Sequence, residues 1–262
     1  MDADDFLRLE ERGQVALVSL ARAAKRNALT RRMLERLTEI FAGFSARRDL
    51  RAVVLCGEPG EAFCAGTDIS ELDGLDEQGA RLASVRGQRA CEAIEACGLA
   101  VIAAIEGAAA GGGFELALAC HLRVASKQAR FSLPETRLGM IPAYGGTQRL
   151  AHAIGEARAL ALMLTHESLT ADEALRLGVV NRVVETGETV EEALRLADLI
   201  AGQSAPLAVR ACLEAVTRGA RLSLDEGLAL EADLFSRLFT TADVREGTRA
   251  FLEKRPPAFK GQ

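Results

Sequence analysis

The sequence AGGGFEL at residues 110–116 joins an apolar run, AVIAAI at residues 100–105, to a helix-like stretch that ends near Cys120. This order predicts a strand, a glycine turn and a helix. Three glycines let a ligand approach the backbone without a Cβ in the way, and the N–H groups that begin a helix lack partners within it. Such a corner can stabilise a developing negative charge. Glu115 lies in the first helical turn, so its carboxyl group is expected beside the same corner.

A second glycine corner lies at residues 62–69, AFCAGTDI, after the strand-like run AVVLC at residues 52–56. One backbone donor from each corner would form an oxyanion hole, although either stretch alone also fits an ordinary tight turn. Neither corner is a phosphate-binding loop of the Walker type, because no Lys-Ser or Lys-Thr pair follows the glycines. Neither has the GxGxxG spacing of a dinucleotide site. These exclusions favour acyl chemistry.

Composition limits the class of protein. The chain has 262 residues, 49% of them hydrophobic, which is enough for one substantial core. Its formal charge of −5 argues against a nucleic-acid binder that depends on phosphate contacts. The six cysteines form no CxxC pair and the three histidines lack the spacing of metal ligands, so we expect reduced thiols and no metal. The acidic N-terminus lacks the features of a targeting signal and no apolar run is long enough to span a membrane, so we expect a cytoplasmic protein.

Strand and helix patterns alternate over the first part of the chain. A hairpin is predicted around Gly13, followed by a helix capped by Thr30 and a long helix over residues 76–97. Further strand-like runs lie at residues 52–56, 100–105, 121–125 and 179–184. This order predicts three passes of a right-handed parallel winding with helices packed outside it.

The character of the sequence changes at residue 190. Helix-like segments without a strand pattern lie at residues 191–200, 206–218, 222–239 and 241–254. We therefore divide the chain into a core at residues 1–189, which contains the site, and a helical region at residues 190–262. The apolar faces of these helices exceed what one small bundle can bury, so they are expected to cover the winding or to meet another subunit. The tail beyond Pro257 is predicted to be a loose end.

Two of the 37 acidic residues follow turns that present them inward. Glu115 stands at the glycine corner, and Glu135 follows Pro134, which keeps Leu133 out of a helix and predicts an extended approach. A pair of carboxyl groups across one pocket can hold a water molecule and move protons in both directions. In the alternative, Glu135 caps a helix or pairs with Arg137, and Glu115 is a first-turn charge that the helix dipole favours.

Several motifs, taken in chain order, resemble the crotonase superfamily and, within it, the enoyl-CoA hydratases. They are the runs at residues 62–69 and 105–120, LPE at 133–135, GGTQRL at 145–150, and FLEKR at 251–255 with Phe259-Lys260. The resemblance implies an α/β fold, a crotonase-like spiral of ββα units with a helical C-terminal trimerisation region. Residues 1–189 would then hold coenzyme A and the active site. The resemblance also implies homotrimers that usually pair into hexamers.

The resemblance further implies roles for individual residues. The peptide N–H groups of Thr67 and Gly112 would hold the thioester oxygen, with Thr67 in place of a common Ala. Glu115 would position and activate water, and Glu135 would exchange the proton at the α-carbon. The backbone at Ala143, where Gly is common, would help to place the water. Together these groups imply hydration of 2-enoyl-CoA to 3-hydroxyacyl-CoA, or the reverse dehydration.

Coenzyme A is part of the substrate in this family, so no separate cofactor is expected. The resemblance places two segments of the chain against its pantetheine and adenine, and a third against the nucleotide bound by a neighbouring subunit. The residues concerned are Lys25, Arg26, Ala28, Ala65, Gly66, Asp68 and Ile69 in the first two segments, and Phe259 and Lys260 in the third.

Other functions stay open at this point. The substrate can be branched or dicarboxylic, as in 3-methylglutaconyl-CoA, or the enzyme can be an enoyl-CoA isomerase, which needs only one of the two carboxylates. A hypothesis of another class is RNA binding, because one hydratase relative with a similar GGELALAC motif is known for it. The arginines from Arg31 to Arg51 are the candidates, and the acidic total makes nucleic acid an unlikely partner. His121 replaces a common Asp, and Tyr144 either lines the acyl pocket or packs in the core.

Overall fold

The computed structural model describes residues 6–58 and 62–262. The strands in these residues are β1 Leu7–Arg12, β2 Val15–Leu20, β3 Ala52–Gly57, β4 Ala62–Cys64, β5 Ala100–Ile105, β6 Ala108–Ala110, β7 Leu122–Ser126, β8 Arg130–Ser132, β9 Leu169–Thr170 and β10 Arg182–Val184. Six of them form a large sheet in the order β1-β2-β3-β5-β7-β10, and four form a small sheet in the order β4-β6-β8-β9. β1 and β2 form the predicted antiparallel hairpin, and the remaining strands of the large sheet are parallel.

The described residues also contain ten α-helices. They are α1 Arg31–Phe44, α2 Glu77–Ala96, α3 Gly112–Ala119, α4 Gly146–Ile154, α5 Glu156–Thr165, α6 Ala171–Arg176, α7 Thr189–Gln203, α8 Pro206–Gly219, α9 Leu224–Leu238 and α10 Ala242–Glu253. Two passes of the chain run from the large sheet through the small sheet to a helix, as β3-β4-α2 and β5-β6-α3. The third pass, β7-β8, leads to a 3-10 helix at Glu135–Leu138 and then to α4. The predicted spiral of ββα units is therefore confirmed.

Local chemistry accounts for the first helix and for its position. The Oγ1 atom of Thr30 accepts a hydrogen bond from the Met33 N–H at 3.2 Å, which satisfies one of the unpaired donors at the start of α1. One apolar face of α1 is buried, and it consists of Met33, Leu34, Leu37, Ile40, Phe41 and Phe44. These side chains belong to the main core, together with apolar residues of the large sheet and of α2. Burial of an apolar stripe at helical spacing is what holds α1 against the sheet.

The chain differs from the sequence predictions at three places before residue 190. The sequence predicts a loop at residues 143–147, but α4 begins at Gly146, because Gly145 takes a positive φ of 107° that starts the helix. The sequence predicts an extended approach to Glu135, but Pro134, with φ −89° and ψ 11°, turns the chain into a 3-10 helix that Glu135 begins. The last strand starts at Arg182 rather than at residue 179, because the N–H groups of Val179 and Val180 both donate to the Ala174 oxygen in α6.

The four C-terminal helices are confirmed, and α7 covers the outer face of the large sheet. Its Ala193, Leu196 and Ala197 form a second apolar cluster with residues of β2, β3, β5 and β7, among them Val54 and Ile102. α8 and α9 pack against each other. The division of the chain at residues 189 and 190 coincides with the start of α7, and as a domain boundary it stays a prediction.

The C-terminal tail is held rather than loose, which corrects the prediction for it. The Asp243 carboxylate accepts hydrogen bonds from the N–H groups of Lys260 and Gly261, both at 2.8 Å. Glu246 accepts another from the Ala258 N–H at 2.9 Å. Two carboxylates on α10 therefore fix the backbone of the last residues. In the described residues, no helix is long and apolar enough to span a membrane.

Candidate active site

The two glycine corners meet in space. A Cβ atom at Gly66 would lie 3.0 Å from the carbonyl oxygen of Ala110 and 3.6 Å from the nitrogen of Gly112. A Cβ atom at Gly113 would lie 2.4 Å from the carbonyl oxygen of Cys64, so a larger residue there would force the corners apart. Gly66 also has a φ of 106°, which residues with a side chain rarely adopt. The glycines are therefore required for the close approach of α3 to the residues after β4.

Each corner leaves a peptide N–H group without an acceptor. Leu29 bonds to the chain on both sides of Thr67, with its N–H donating to the Gly66 oxygen and its oxygen accepting from the Asp68 N–H, both at 2.8 Å. In such a bridge the N–H of Thr67 points away from Leu29. Gly112 begins α3, where N–H groups have no partner within the helix. Within residues 6–58 and 62–262, neither the Thr67 nor the Gly112 N–H donates to a protein acceptor, so both are available to a ligand.

Glu115 is buried beside this pair of N–H groups, with 2% of its surface exposed. Its Oε1 atom accepts hydrogen bonds from the N–H groups of Tyr144 and Gly146, both at 2.7 Å. Burial raises the pKa of Glu115, and the N–H groups of Gly146, Tyr144 and Ala143 oppose that rise. One carboxylate oxygen is thus tied to the loop before α4, which leaves Oε2 for other partners.

Glu135 lies across the corner from Glu115. Its Oε1 atom is 2.9 Å from the position that a Cβ of Gly111 would take, and its buried Oε2 atom has no hydrogen-bond partner in the part of the chain that the structure describes. Burial, together with the charge of Glu115, raises the pKa of Glu135 to about 7. An ion pair with Arg137 does not occur among the described residues. No side-chain hydrogen bond within the described residues caps the 3-10 helix that Glu135 begins, so neither alternative for Glu135, a helix cap or a pair with Arg137, is supported.

Both glutamates open into one cavity of about 510 Å³. Thr67 and Gly112 line the same cavity, as does the ring of Tyr144. The rest of the lining is mostly apolar and includes Leu72, Leu75, Ala83, Leu138, Met140 and Ile141. The lining residues that the structure describes include no Lys, Arg or His. The cavity thus combines an apolar wall with two carboxyl groups and two unbonded N–H groups.

The loop that fixes Glu115 is itself held by residues that sequence reasoning missed. Arg149 donates through Nη1 to the carbonyl oxygen of Tyr144 at 3.1 Å and through Nη2 to Glu95 at 3.2 Å. Glu95 also pairs with Arg221, which follows α8. The carbonyl oxygen of Ala143 accepts from Ser84 at 2.8 Å, so α2 holds the loop from the other side. Only the position of Arg149 in the motif GGTQRL could have suggested this role.

His121, the departure from the family pattern, has a structural role. Its Nδ1 atom accepts from the Val101 N–H at 3.0 Å, and its Nε2 atom lies 3.1 Å from the carbonyl oxygen of Glu95. An imidazole that accepts at Nδ1 and donates at Nε2 is neutral, and burial lowers the pKa of His121, which favours that form. His121 therefore links the start of β5 to the end of α2.

The residues predicted to bind coenzyme A fall into four groups. Ala65, Gly66 and Ile69 line the cavity, and 49% of the surface of Ile69 is exposed. Lys25, Arg26 and Ala28 lie outside the lining on an adjacent segment, which the hydrogen bond from the Ala65 N–H to the Arg26 oxygen holds against the corner. Asp68 is not among the residues that line the cavity, and its carboxylate accepts a hydrogen bond from Arg22 at 2.7 Å. Phe259 and Lys260 lie at α10 and outside the lining of this cavity.

Several of the arginines considered for RNA binding have acidic partners in the chain. Arg31 pairs with Glu35, and Arg47 pairs with both Glu11 and Asp49. Arg51 donates to the carbonyl oxygen of Arg48. Charge that is balanced in this way contributes little to phosphate binding.

Comparison with known proteins identifies the fold and the family. The profile of the family described as "Enoyl-CoA hydratase/isomerase" matches residues 10–262. A probable enoyl-CoA hydratase of Rhizobium meliloti is 43% identical over 256 residues, which cover 98% of each chain. A short-chain-enoyl-CoA hydratase of Clostridium acetobutylicum is 38% identical over 247 residues, which cover 94% of each chain.

The crystal structure of an enoyl-CoA hydratase from Bacillus anthracis superimposes with a TM-score of 0.94 at 38% sequence identity. The match covers 98% of this chain and all of that one. The expected crotonase-like architecture, with ββα units followed by C-terminal helices, is thereby confirmed. The chain belongs to the enoyl-CoA hydratase/isomerase family.

Proposed function

We propose that this enzyme adds water to 2-enoyl-CoA thioesters to give 3-hydroxyacyl-CoA, or catalyses the reverse dehydration. One observation carries the proposal: Glu115 and Glu135, both with raised pKa, open into one apolar cavity beside two unbonded peptide N–H groups. An isomerase needs one carboxylate to move a proton, whereas hydration needs a base for water and an acid for the α-carbon. The presence of two carboxyl groups therefore favours the hydratase.

The proposed mechanism follows from the positions of these groups. The N–H groups of Thr67 and Gly112 bind the thioester oxygen and stabilise the enolate-like charge that forms there. Glu115 accepts a proton from water through Oε2, while the water oxygen bonds to the β-carbon. Glu135 gives its proton to the α-carbon. The O–H bonds of water and of Glu135 break, an O–H bond forms on Glu115, one C–O and one C–H bond form, and the C=C π bond of the substrate is lost. The proton of the pair has then moved from Glu135 to Glu115.

The coenzyme A moiety supplies binding energy away from the reacting atoms. In our proposal the backbone at Ala65, Gly66, Asp68 and Ile69 contacts the pantetheine, and the segment with Lys25, Arg26 and Ala28 contacts the adenine end. The exposed side chain of Ile69 and its place at the cavity support the first contact. Phe259 and Lys260 would contact the nucleotide bound by a neighbouring subunit.

We also propose a homotrimer or a pair of trimers. Several large apolar side chains on the last three helices are exposed in the single chain, among them Val216, Leu224, Phe235, Phe239, Phe251 and Leu252. An exposed set of this size is typical of an interface. Light scattering of the purified protein tests the assembly, and a monomer at micromolar concentration would contradict it.

The substrate is expected to lack a terminal carboxylate. The lining residues that the structure describes include no cation that could pair with one, which disfavours 3-methylglutaconyl-CoA and similar dicarboxylic thioesters.

The test of the proposed hydration is turnover of crotonyl-CoA in H₂¹⁸O, with the product analysed by mass spectrometry. We expect 3-hydroxybutyryl-CoA with one ¹⁸O atom. Migration of a double bond in 3-butenoyl-CoA, without incorporation of oxygen into either substrate, would instead establish an isomerase.

The proposed mechanism makes a prediction about pH. Hydration takes up no net proton, so kcat/KM must have the same pH profile in both directions. In the mechanism above, the active form of the carboxyl pair carries a single proton, on Glu135 before hydration and on Glu115 after it. Because the pKa of Glu135 is raised to about 7, the pair loses this proton above that pH. We expect kcat/KM to fall about tenfold per pH unit on the alkaline side and to fall again in acid, where the pair gains a second proton.

The measurement is kcat/KM for hydration and for dehydration across the neutral range, in buffers of constant ionic strength. The apparent pKa values belong to the pair rather than to one residue. A kcat/KM for crotonyl-CoA that rises steadily from pH 7 into the alkaline range would contradict the protonated role of Glu135.

A second prediction concerns Gly146, which faces Glu115. A Cβ atom at this position would lie 2.9 Å from Oε1 and 2.8 Å from Cγ of Glu115, so Gly146→Ala should displace the carboxylate from its two N–H donors. A displacement on the order of 1 Å at a reacting group can lower kcat by about 10²-fold. The matched control is Gly202→Ala in α7, where a Cβ meets no atom within 4 Å. A kcat for Gly146→Ala within about threefold of that control would contradict the placement of Glu115.

A further inference from the structure

Thr67 and Tyr144 form a hydrogen-bonded pair that stands between two cavities. The Oγ1 atom of Thr67 donates to the phenolic oxygen of Tyr144 at 2.8 Å. Both residues line the active-site cavity of about 510 Å³ and a neighbouring cavity of about 390 Å³, as do Leu72, Leu75 and Ala83. We call this pair the partition. It is the hydrogen-bonded part of the shared lining, on the side of the active-site cavity that faces α1 and α2.

The structure holds the ring of Tyr144 in place through two glycines. A Cβ atom at Gly87 would lie 2.0 Å from Cδ1 of Tyr144, and a Cβ atom at Gly112 would lie 2.8 Å from Cε2. Gly87 lies within α2 and has no positive φ, and a glycine inside a helix is destabilising relative to Ala. The space that Gly87 leaves for the ring explains this glycine. The ring is thus packed between α2 and the start of α3 rather than free to swing away.

The two sides of the partition differ in chemistry. The active-site side is apolar apart from the catalytic groups. The far side is lined by Leu34 and Leu82 but also by Arg31 and Arg86. Both arginines pair with Glu35, at 2.9 and 3.1 Å, so their charges are already balanced. The far side therefore offers leucine side chains to an apolar chain that passed the partition.

We propose that the partition ends the acyl compartment and makes Tyr144 the residue that restricts this enzyme to short acyl chains. The inference rests on the proposed function, because it takes the acyl group to lie in the cavity of Glu115 and Glu135. Each methylene group that leaves water for an apolar compartment strengthens binding by about fourfold, and a chain that meets the ring cannot obtain that gain. Because the packed ring denies this gain in binding to longer chains, the enzyme should prefer crotonyl-CoA over longer substrates.

The experiment compares chain-length preference in variants of Tyr144. Tyr144→Ala removes the ring and joins the two cavities, so the ratio of kcat/KM for 2-octenoyl-CoA to that for crotonyl-CoA should rise at least about tenfold. Tyr144→Phe keeps the ring and removes only the hydroxyl group, so this ratio should stay within about threefold of that of the unchanged enzyme. An unchanged ratio in folded Tyr144→Ala would overturn the proposal.

Binding separates this proposal from the proposed function. Isothermal titration with butyryl-CoA and octanoyl-CoA needs no turnover, and Tyr144→Ala should shift the ratio of their Kd values about tenfold toward octanoyl-CoA. If the unchanged enzyme hydrates no enoyl-CoA but this shift occurs, the hydratase proposal fails and the partition stands. If it hydrates crotonyl-CoA but the shift is absent, only the partition fails.

A second variant covers the case in which Tyr144→Ala does not fold. Tyr144→Leu fills the space beside Gly87 but is too short to reach the Thr67 hydroxyl group. We expect for it a smaller rise in both ratios, between those of the Phe and Ala variants. A Leu variant that folds, as judged by circular dichroism, and prefers short chains as strongly as the Phe variant would overturn the proposal.

Discussion

Replacing Glu115 or Glu135 by Gln is expected to lower kcat for crotonyl-CoA by about 10²- to 10⁴-fold, the range that general acid–base groups contribute. Gln keeps the size of the side chain at both positions. At position 115 its amide oxygen can still accept hydrogen bonds from the N–H groups of Tyr144 and Gly146. It cannot take a proton from water or give one to carbon. The loss should therefore fall mainly on kcat, with KM changed only a few-fold.

The control for these variants is Glu92→Gln, an exposed position on α2. Its kcat should lie within about twofold of the unchanged enzyme, because surface substitutions away from a site have small effects. Circular dichroism and thermal unfolding establish that all three variants fold. Near-native kcat for both active-site variants would show that neither carboxyl group acts in the reaction.

Removing the Thr67 N–H is expected to lower kcat by about 10²- to 10³-fold, which is the effect of losing one donor of an oxyanion hole. The cleanest change replaces the amide between Gly66 and Thr67 by an ester, through incorporation of the α-hydroxy analogue of threonine. This N–H makes no hydrogen bond to the described protein, so its removal leaves the fold intact. The missing donor affects only the charge on the thioester oxygen.

Thr67→Ala is the comparison for the ester variant. It keeps the N–H and removes the hydroxyl group that bonds to Tyr144. Its kcat should exceed that of the ester variant by at least about tenfold. Equal losses in the two variants would mean that the side chain of Thr67, rather than its backbone, carries the effect.

Much of the fold can be predicted from the sequence, because it depends on local patterns. The Thr30 cap and the apolar stripe of α1 are readable within a few residues, and so is the glycine corner that places Glu115. α4 escapes prediction because its start is set by the positive φ of Gly145, and two adjacent glycines usually indicate a loop. The prediction of an extended conformation before Glu135 is also wrong, because Pro134 turns the chain into a 3-10 helix there.

The parts of the site that the sequence does not reveal depend on contacts between distant segments. Tyr144 and Thr67 are 77 positions apart, and Gly87 becomes meaningful only when the ring is seen against it. The support of the catalytic loop by Arg149 and Glu95 is likewise a contact over 54 positions. The raised pKa values also need the folded chain, because burial is their main cause. The sequence identifies the two carboxyl groups but not the burial that raises their pKa values.

The dependence of the two glutamates on each other is the central claim, and a double-variant comparison tests it most directly. We would measure kcat for hydration of crotonyl-CoA by the unchanged enzyme, by Glu115→Gln, by Glu135→Gln and by the variant that carries both changes. Because both groups act on one substrate in one proton-transfer sequence, the double variant should lose little more than the more damaged single variant, within about tenfold. Losses that multiply, so that the double variant falls by the product of the two single effects, would contradict a shared catalytic role.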